Sequence, residues 1–307
     1  MEKTISIQAK QLTKSYGETR AIAGIGFEVG AGELFGIIGP DGAGKTTLLR
    51  ILTTLLLADE GSATLNGMDV VQDYKKVRHI IGYMPGRFSL YQDLSVEENL
   101  QFFATVFGTT IAQNYELIKD IYEHIEPFKK RLAGQLSGGM KQKLALSCAL
   151  IHAPEILVLD EPTTGVDAVS RQEFWEMLKK LQQRGITILV STPYMDEASQ
   201  CDRVALMQSG KMMSIDTPAN IIALFGKQLL AVSALSNYQL ITDLRTFPDT
   251  HSVYPFGQYA HYVSKSGSTK EEELMEYLHG KGHEEVTIKP IEANIEDCFM
   301  DLMKEEA

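Results

Sequence analysis

The chain has little with which to cross-link itself, to enter a membrane or to bind polyanions. Its three cysteines, Cys148, Cys201 and Cys298, are scattered through 307 residues without a CxxC pair. Neither a disulfide framework nor a zinc site is expected, and each thiol reads as a small buried hydrophobe. No apolar run approaches the ~20 residues that a membrane helix needs; the best candidate, Ile51 to Ala58, stops far short. The opening MEKTISIQAK has no apolar signal core, so the expectation is a chain that stays in the cytosol. A basic block is also missing, and the net charge is -11. That balance argues against nucleic acid as the main partner and against adhesion to anionic lipid by charge alone. What remains, 44% hydrophobic and 22% charged residues, is ordinary for a globular chain long enough for two domains.

What is there is alternation. ELFGIIG, EILVLDEP and ITILVST read as buried strands, while TTLLRILTTLLL and SRQEFWEMLKKLQQRG carry apolar residues at helical spacing. Strands alternating with helices imply a largely parallel sheet covered on both faces. Between Leu94 and Ala149 the strand signal disappears. SVEENLQFFATVFG opens with a capping box, Ser95 and Glu98, and IAQNYELIKDIYEHIEPFKK is expected to continue as helix. This stretch, about 94–149, reads as a helical subdomain inserted in the α/β core. After about residue 226 the pattern changes: KQLLAVSA, SVYPFGQYAHYVSKS and EEVTIKPI read as strands, TKEEELMEYLHGKG and NIEDCFMDLMKEEA as helices. The expectation is a domain over 1–225 followed by a small α+β domain over 226–307.

One loop carries the strongest chemical signal. GPDGAGKTT holds Gly39, Pro40, Asp41, Gly42, Ala43, Gly44, Lys45, Thr46 and Thr47, and it fits the pattern G-x-x-x-x-G-K-[ST]. The glycines let backbone N–H groups turn inward around phosphate oxygens. Lys45 adds a point charge and Thr46 offers a hydroxyl to Mg²⁺; the following helix directs its positive end at the same anion. A strand ending in Asp160 and Glu161 is by itself an ordinary solvated strand end. Beside this loop it supplies a carboxylate for Mg²⁺ and a general base to polarise water. LSGGM, with Leu136, Ser137, Gly138 and Gly139, opens a helix whose N–H groups suit an anion; alone it is equally a capped helix.

In this order the three motifs resemble the nucleotide-binding subunit of ABC transporters, over about the first 225 residues. The resemblance implies a P-loop NTPase cassette with a parallel-sheet core, a β-rich N-terminal part and an inserted helical subdomain. It assigns Gly39–Thr46 to Walker A, Asp160 and Glu161 to the end of Walker B with the catalytic glutamate, and Leu136–Met140 to the LSGGQ signature. Asp167 in TTGVDA becomes the D-loop aspartate, and Tyr16 in LTKSYG the aromatic stacked on adenine. It further implies ATP and Mg²⁺ as ligands, and a second ATPase subunit, identical or different, facing head to tail. Ser137–Gly139 then meet the γ-phosphate held by that partner. Lacking a span, the chain is expected to dock on separate integral-membrane permease subunits, peripheral on the inner face of the cell membrane, through the helical subdomain. FSLYQDLSVEENL and the IEDCFMDLM ending resemble multidrug and drug-resistance exporters.

Besides Met140, which stands where the signature usually has glutamine, two positions depart from the family pattern. STPYMDEA places Pro193 where the switch histidine belongs, and IGYMPGRFSLYQ places Gly86 where the Q-loop glutamine belongs, with Gln92 too far downstream to replace it. Proline has no proton to donate to a phosphate. A hydrogen bond to a charged group is worth about 1.5–3 kcal/mol, or roughly ten- to a few-hundredfold in rate each. Two readings stay open: a transporter ATPase with reduced turnover, or an ATP-binding module with little hydrolysis, the degenerate half of a heterodimer. Soluble repair and translation ATPases of the same superfamily are disfavoured. They need long coiled-coil insertions or two cassettes, and this chain has neither.

Overall fold

The computed structural model describes residues 4–267 and 270–305. Met1 to Lys3 of the N-terminal segment, Ser268, Thr269 at the start of one expected helix, and Glu306 and Ala307 at the end of another lie outside the described residues. The chain divides into two compact units, Met1–Pro218 and Ala219–Ala307.

The first unit begins with an antiparallel hairpin, β1 (Ile5–Tyr16) and β2 (Thr19–Gly30), followed by β3 (Leu34–Ile38) and α1 (Lys45–Leu52). β4 (Glu60–Leu65) and β5 (Met68–Asp69) complete a four-stranded sheet of order β2-β1-β4-β5. Then come α2 (Tyr74–Ile80), β6 (Ile81–Met84), α3 (Val96–Val106), α4 (Tyr115–Tyr122), α5 (Gly138–Leu150), β7 (Ile156–Asp160) and α6 (Ala168–Gln183). β8 (Thr187–Thr192), β9 (Arg203–Gln208) and β10 (Lys211–Asp216) finish the unit. The second sheet has order β10-β9-β3-β8-β7-β6 and is parallel except at β10, which pairs antiparallel with β9. Every residue of β3, β7 and β8 is buried, as continuous apolar runs in a doubly covered parallel sheet require. The core joins the inner faces of the two sheets with Leu48, Leu49 and Leu52 of α1.

The helical stretch is real but shorter in its parts than its sequence suggests. α3 carries the expected capping box: Ser95 Oγ accepts from the Glu98 N–H at 3.2 Å and Glu98 accepts from the Ser95 N–H at 2.8 Å. The continuous helix expected over residues 111–130 is instead α4, then a 3₁₀ turn at Glu126–Phe128. Pro127 disfavours helical backbone at the residue before it and cannot donate. α1 likewise stops at Leu52. Thr53 Oγ1 donates back to Leu49 O at 2.8 Å, and Thr54 turns to φ 64°. Side chains that bond their own backbone compete with the helix in this way. Beyond β8 and Pro193 the chain forms a 3₁₀ helix, Met195–Gln200.

The second unit begins within α7 (Pro218–Leu224), a few residues before the boundary expected from sequence. It contains β11 (Leu229–Ser233), α8 (Asn237–Thr246), β12 (Thr250–Phe256), β13 (Tyr259–Ser264), α9 (Glu271–Gly280), β14 (Thr287–Ile291) and α10 (Ile295–Glu305). α8 was not expected: NYQLITDLRT has only Leu240 and Leu244 buried, which leaves a weak helical stripe. All strand pairs are antiparallel in the order β12-β13-β11-β14, a split β-α-β arrangement. α8 and α9 bury one sheet face, where Leu240, Leu244, Leu274 and Leu278 meet Tyr262. α10 is tied to the other face: Asp297 is 2.6 Å from His261 Nδ1, and Tyr254 donates to Met300 O at 3.1 Å.

Leu49 is fully buried where α1 meets both sheets. Leu49→Ala is expected to cost about 2–5 kcal/mol, read as a lowered denaturation midpoint of the first unit.

Candidate functional site

Three parallel strands end together. β3 runs into the glycine loop, β7 ends at Asp160, and β8 between them ends at Thr192. Open α/β sheets bind ligands at the carboxyl ends of their strands. The glycine loop is shaped by close approach. A Cβ on Gly39 would lie 2.1 Å from Met207 O, and one on Gly44, at φ +104°, 2.3 Å from Ala21 O, so no side chain fits at either position. Gly39 N–H donates to Thr192 O at 3.2 Å and Gly210 N–H to Ala43 O at 2.9 Å, fastening the loop to β8 and to the β9–β10 turn. Pro40, Asp41 and Gly42 form the outer arc, with Asp41 and Gly42 exposed and Ala43 buried beneath.

Lys45 opens α1 and is 3% exposed. Its ammonium donates to Gly39 O at 2.7 Å and Pro40 O at 3.0 Å, and lies 3.0 Å from Glu161 Oε1. Thr46 Oγ1 donates to Asp160 Oδ1 at 3.1 Å. Thr47 is half-buried beside it on α1. Asp160 is 2% exposed and its Oδ1 also accepts from Ser191 Oγ at 2.8 Å. The Glu161 N–H donates to Ser191 O at 3.0 Å and to Ser191 Oγ at 3.1 Å, and Glu161 itself sits at φ 49°. Ser191 thus orients both acidic residues, and sequence reading passed over it. The available signal was a small polar residue at the end of an otherwise apolar strand. Burial, with the negative Asp160 nearby, pushes the Tyr83 phenol up to about 12.

The remaining candidates lie at two helix starts and one strand end. Ser137 caps α5, its Oγ accepting from the Met140 N–H at 3.4 Å. Leu136 is buried, Ser137 and Gly138 are exposed, and a Cβ on Gly139 would be 3.0 Å from Ser170 Oγ. Asp167 caps α6, accepting from the Ser170 N–H at 3.0 Å, and that hydrogen bond lowers its carboxyl below the usual value. The starts of α5 and α6 therefore abut. Among the described residues no hydrogen bond or ion pair joins Ser137, Gly138 or Gly139 to Lys45, Thr46, Asp160 or Glu161. Tyr16 ends β1 and is 50% exposed.

Gly86 lies against the acidic strand end: a Cβ there would be 3.1 Å from Asp160 O. Arg87 and Gln92 are exposed, and Gln92 O accepts from the Gly134 N–H at 3.0 Å. Pro193 follows Thr192 directly, at the end of β8.

A phosphate-binding loop, a hydroxyl beside a buried carboxylate, and a second carboxylate at the next strand position define a P-loop nucleotide-binding cassette. Comparison with known proteins agrees. Residues 22–164 match the model of the ABC transporter family. The chain is 38% identical over 288 residues to a protein described as a probable multidrug ABC transporter ATP-binding protein, YbhF of Escherichia coli (strain K12), covering 92% of this chain and 49% of that one. It therefore spans about half the length of that relative. It is 34% identical over 98% of its length to a Nod factor export ATP-binding protein I of Burkholderia pseudomallei (strain 1710b), covering 97% of that protein. A solved structure described as a dimeric post-hydrolysis state of the ATP-binding cassette MJ0796, bound to ADP and Pi, aligns with a TM-score of 0.63 at 27% identity, over 69% of this chain and 98% of that one. The chain belongs to the ABC transporter family, among its ATP-binding cassettes.

Lys45→Ala removes the only cation bonded into this loop among the described residues. ATP affinity in equilibrium titration with a fluorescent analogue is expected to fall by about ten- to a hundredfold.

Proposed function

We propose that the chain is the ATP-binding subunit of an ABC exporter, binding Mg-ATP and hydrolysing it to drive transport through separate integral-membrane permeases. One observation carries this reading: at a single sheet edge, Lys45 meets Glu161 at 3.0 Å and Thr46 meets Asp160 at 3.1 Å. The backbone N–H groups of Gly42 to Thr47 cradle phosphate at the start of α1, and Lys45 carries the charge facing the β and γ positions. Glu161 accepts the proton of the attacking water. Thr46 Oγ1 and Asp160 Oδ1 are hard oxygen donors in contact, which fits Mg²⁺. No group of three or more His, Cys, Asp or Glu among the described residues could cage a metal alone. This suits an ion completed by phosphate and water oxygens. When bound, the ion neutralises phosphate charge.

The separation of Ser137–Gly139 from Lys45 within one chain supports assembly with a second ATPase subunit, the exposed signature of each facing the other's nucleotide. No helix among the described residues is long and apolar enough to cross a membrane. Contact with the bilayer then comes through the permease. A cleft of about 620 Å³, between α2, β6, α3 and α5, offers an apolar floor including Leu90, Phe103 and Phe107 and a basic rim of Lys75, Arg78 and His79. On a chain of net charge -11, this suits a permease helix with apolar residues and a carboxylate.

Gly86 and Pro193 favour a second reading, an ATP-holding half-site with slow turnover of its own. Glu161→Gln decides whether hydrolysis occurs here. Turnover is expected to fall by about two to four orders of magnitude while ATP remains bound, and a dimer to accumulate in ATP on gel filtration; turnover equal to wild type rejects Glu161 as the base.

Pro193→His restores a donor and is expected to raise steady-state ATPase about tenfold. Gly86→Gln adds less, because its Cβ crowds Asp160 O. A rate that stays flat in the doubly restored chain shows that neither missing side chain limits turnover.

A further inference from the structure

Behind the proline turn lies a buried carboxylate that the nucleotide chemistry does not use. Glu197, in the 3₁₀ helix Met195–Gln200, is 4% exposed. Its Oε2 accepts from Thr192 Oγ1 at 2.5 Å and from Thr163 Oγ1 at 3.1 Å. Its Oε1 accepts no hydrogen bond and lies 3.9 Å from an Arg171 nitrogen. Each contact leads elsewhere. Thr192 O receives the N–H of Gly39, the first glycine of the phosphate loop. Thr163 is two residues beyond Glu161, and its carbonyl receives the Val166 N–H at 3.2 Å, immediately before Asp167. Arg171 stands one turn along α6 from Asp167. Its guanidinium lies 4.6 Å from the Tyr194 ring centroid and 3.5 Å from Asp196. Thr192 Oγ1 also accepts the Tyr194 N–H at 3.0 Å, so the chain is clamped on both sides of Pro193.

Burying a carboxylate is a poor route to stability, since well-packed apolar groups of similar volume do as well or better. A carboxylate oxygen can, however, accept two hydroxyl protons at once. That property is needed where two separate loops must be held at a fixed spacing.

We infer that Glu197 is a positioning residue that couples the phosphate loop to the Asp167 segment, so that ATP bound at Lys45 is registered where this cassette faces its partner. The inference rests on the ATP-binding reading above. The route runs from Gly39 through Thr192 to Glu197, and from there through Thr163 to residues 164–167.

The test is hydrogen exchange of the full chain with and without Mg-AMP-PNP, in the parent, Thr163→Val, Glu197→Gln and Glu197→Ala. In the parent, nucleotide slows exchange both in the phosphate loop and over 163–171. In Thr163→Val and Glu197→Ala the loop remains protected and the added protection of 163–171 is lost; Glu197→Gln, which keeps one accepting oxygen, recovers part of it. Where turnover is measurable, kcat falls about tenfold in Glu197→Ala at nearly constant KM, and adding Thr163→Val lowers it no further. Should Glu197→Ala fail to fold, the near-isosteric Thr163→Val carries the test alone. Protection of 163–171 that persists in Thr163→Val, or losses that add in the double variant, overturns the coupling. Absence of protection in the parent's own phosphate loop instead overturns the ATP-binding reading.

Discussion

The parallel pairing of β3, β8 and β7 is the constraint from which the site follows. In register, Ile38 stands beside Thr192 and Asp160 beside Ser191. Three strands buried along their whole length can release the chain only at their ends, and parallel direction puts those ends on one edge. The glycine loop, the acidic pair and the proline turn are consequently neighbours although they are far apart in sequence. Ser191 and Thr192 form the seam: one serine holds the Asp160 carboxylate and the Glu161 backbone N–H, and the next carbonyl holds Gly39.

The two departures from the family pattern act differently once placed. Pro193 removes a donor but leaves its turn well held, by Thr192, Tyr194 and Glu197. Gly86 removes a side chain where there was little room for one, against the Asp160 carbonyl. Neither disturbs the Lys45–Glu161 or Thr46–Asp160 contacts. The contacts proposed to bind phosphate and metal are thus separable from the side chains that in the family sense the terminal phosphate. The signature glycines lie apart from these contacts, at the abutting starts of α5 and α6.

Much of this was legible in the sequence, for physical reasons. Buried strands read as unbroken apolar runs, a glycine loop with lysine and threonine has few alternative uses, and Ser95 with Glu98 announced the start of α3. The failures are equally physical. Helix α1 was cut short at Thr53, a single residue outweighing good periodicity on either side. α8 was missed because only two of its leucines are buried. Ser191 and Glu197 were invisible because their importance lies in partners 31 and 34 residues away, which no local pattern encodes.

One backbone angle has a further bearing on how this protein can change. Glu161 occupies the left-handed region at φ 49°, where a residue with a side chain is uncommon and strained backbone is tied to function. Glycine would sit there at ease, relieving on the order of 1 kcal/mol, and would take the carboxylate away. A screen that rewarded only thermal resilience would therefore tend to discard the group proposed to activate water. Under the proposed chemistry, the chain's durability and its activity pull in opposite directions at that one position.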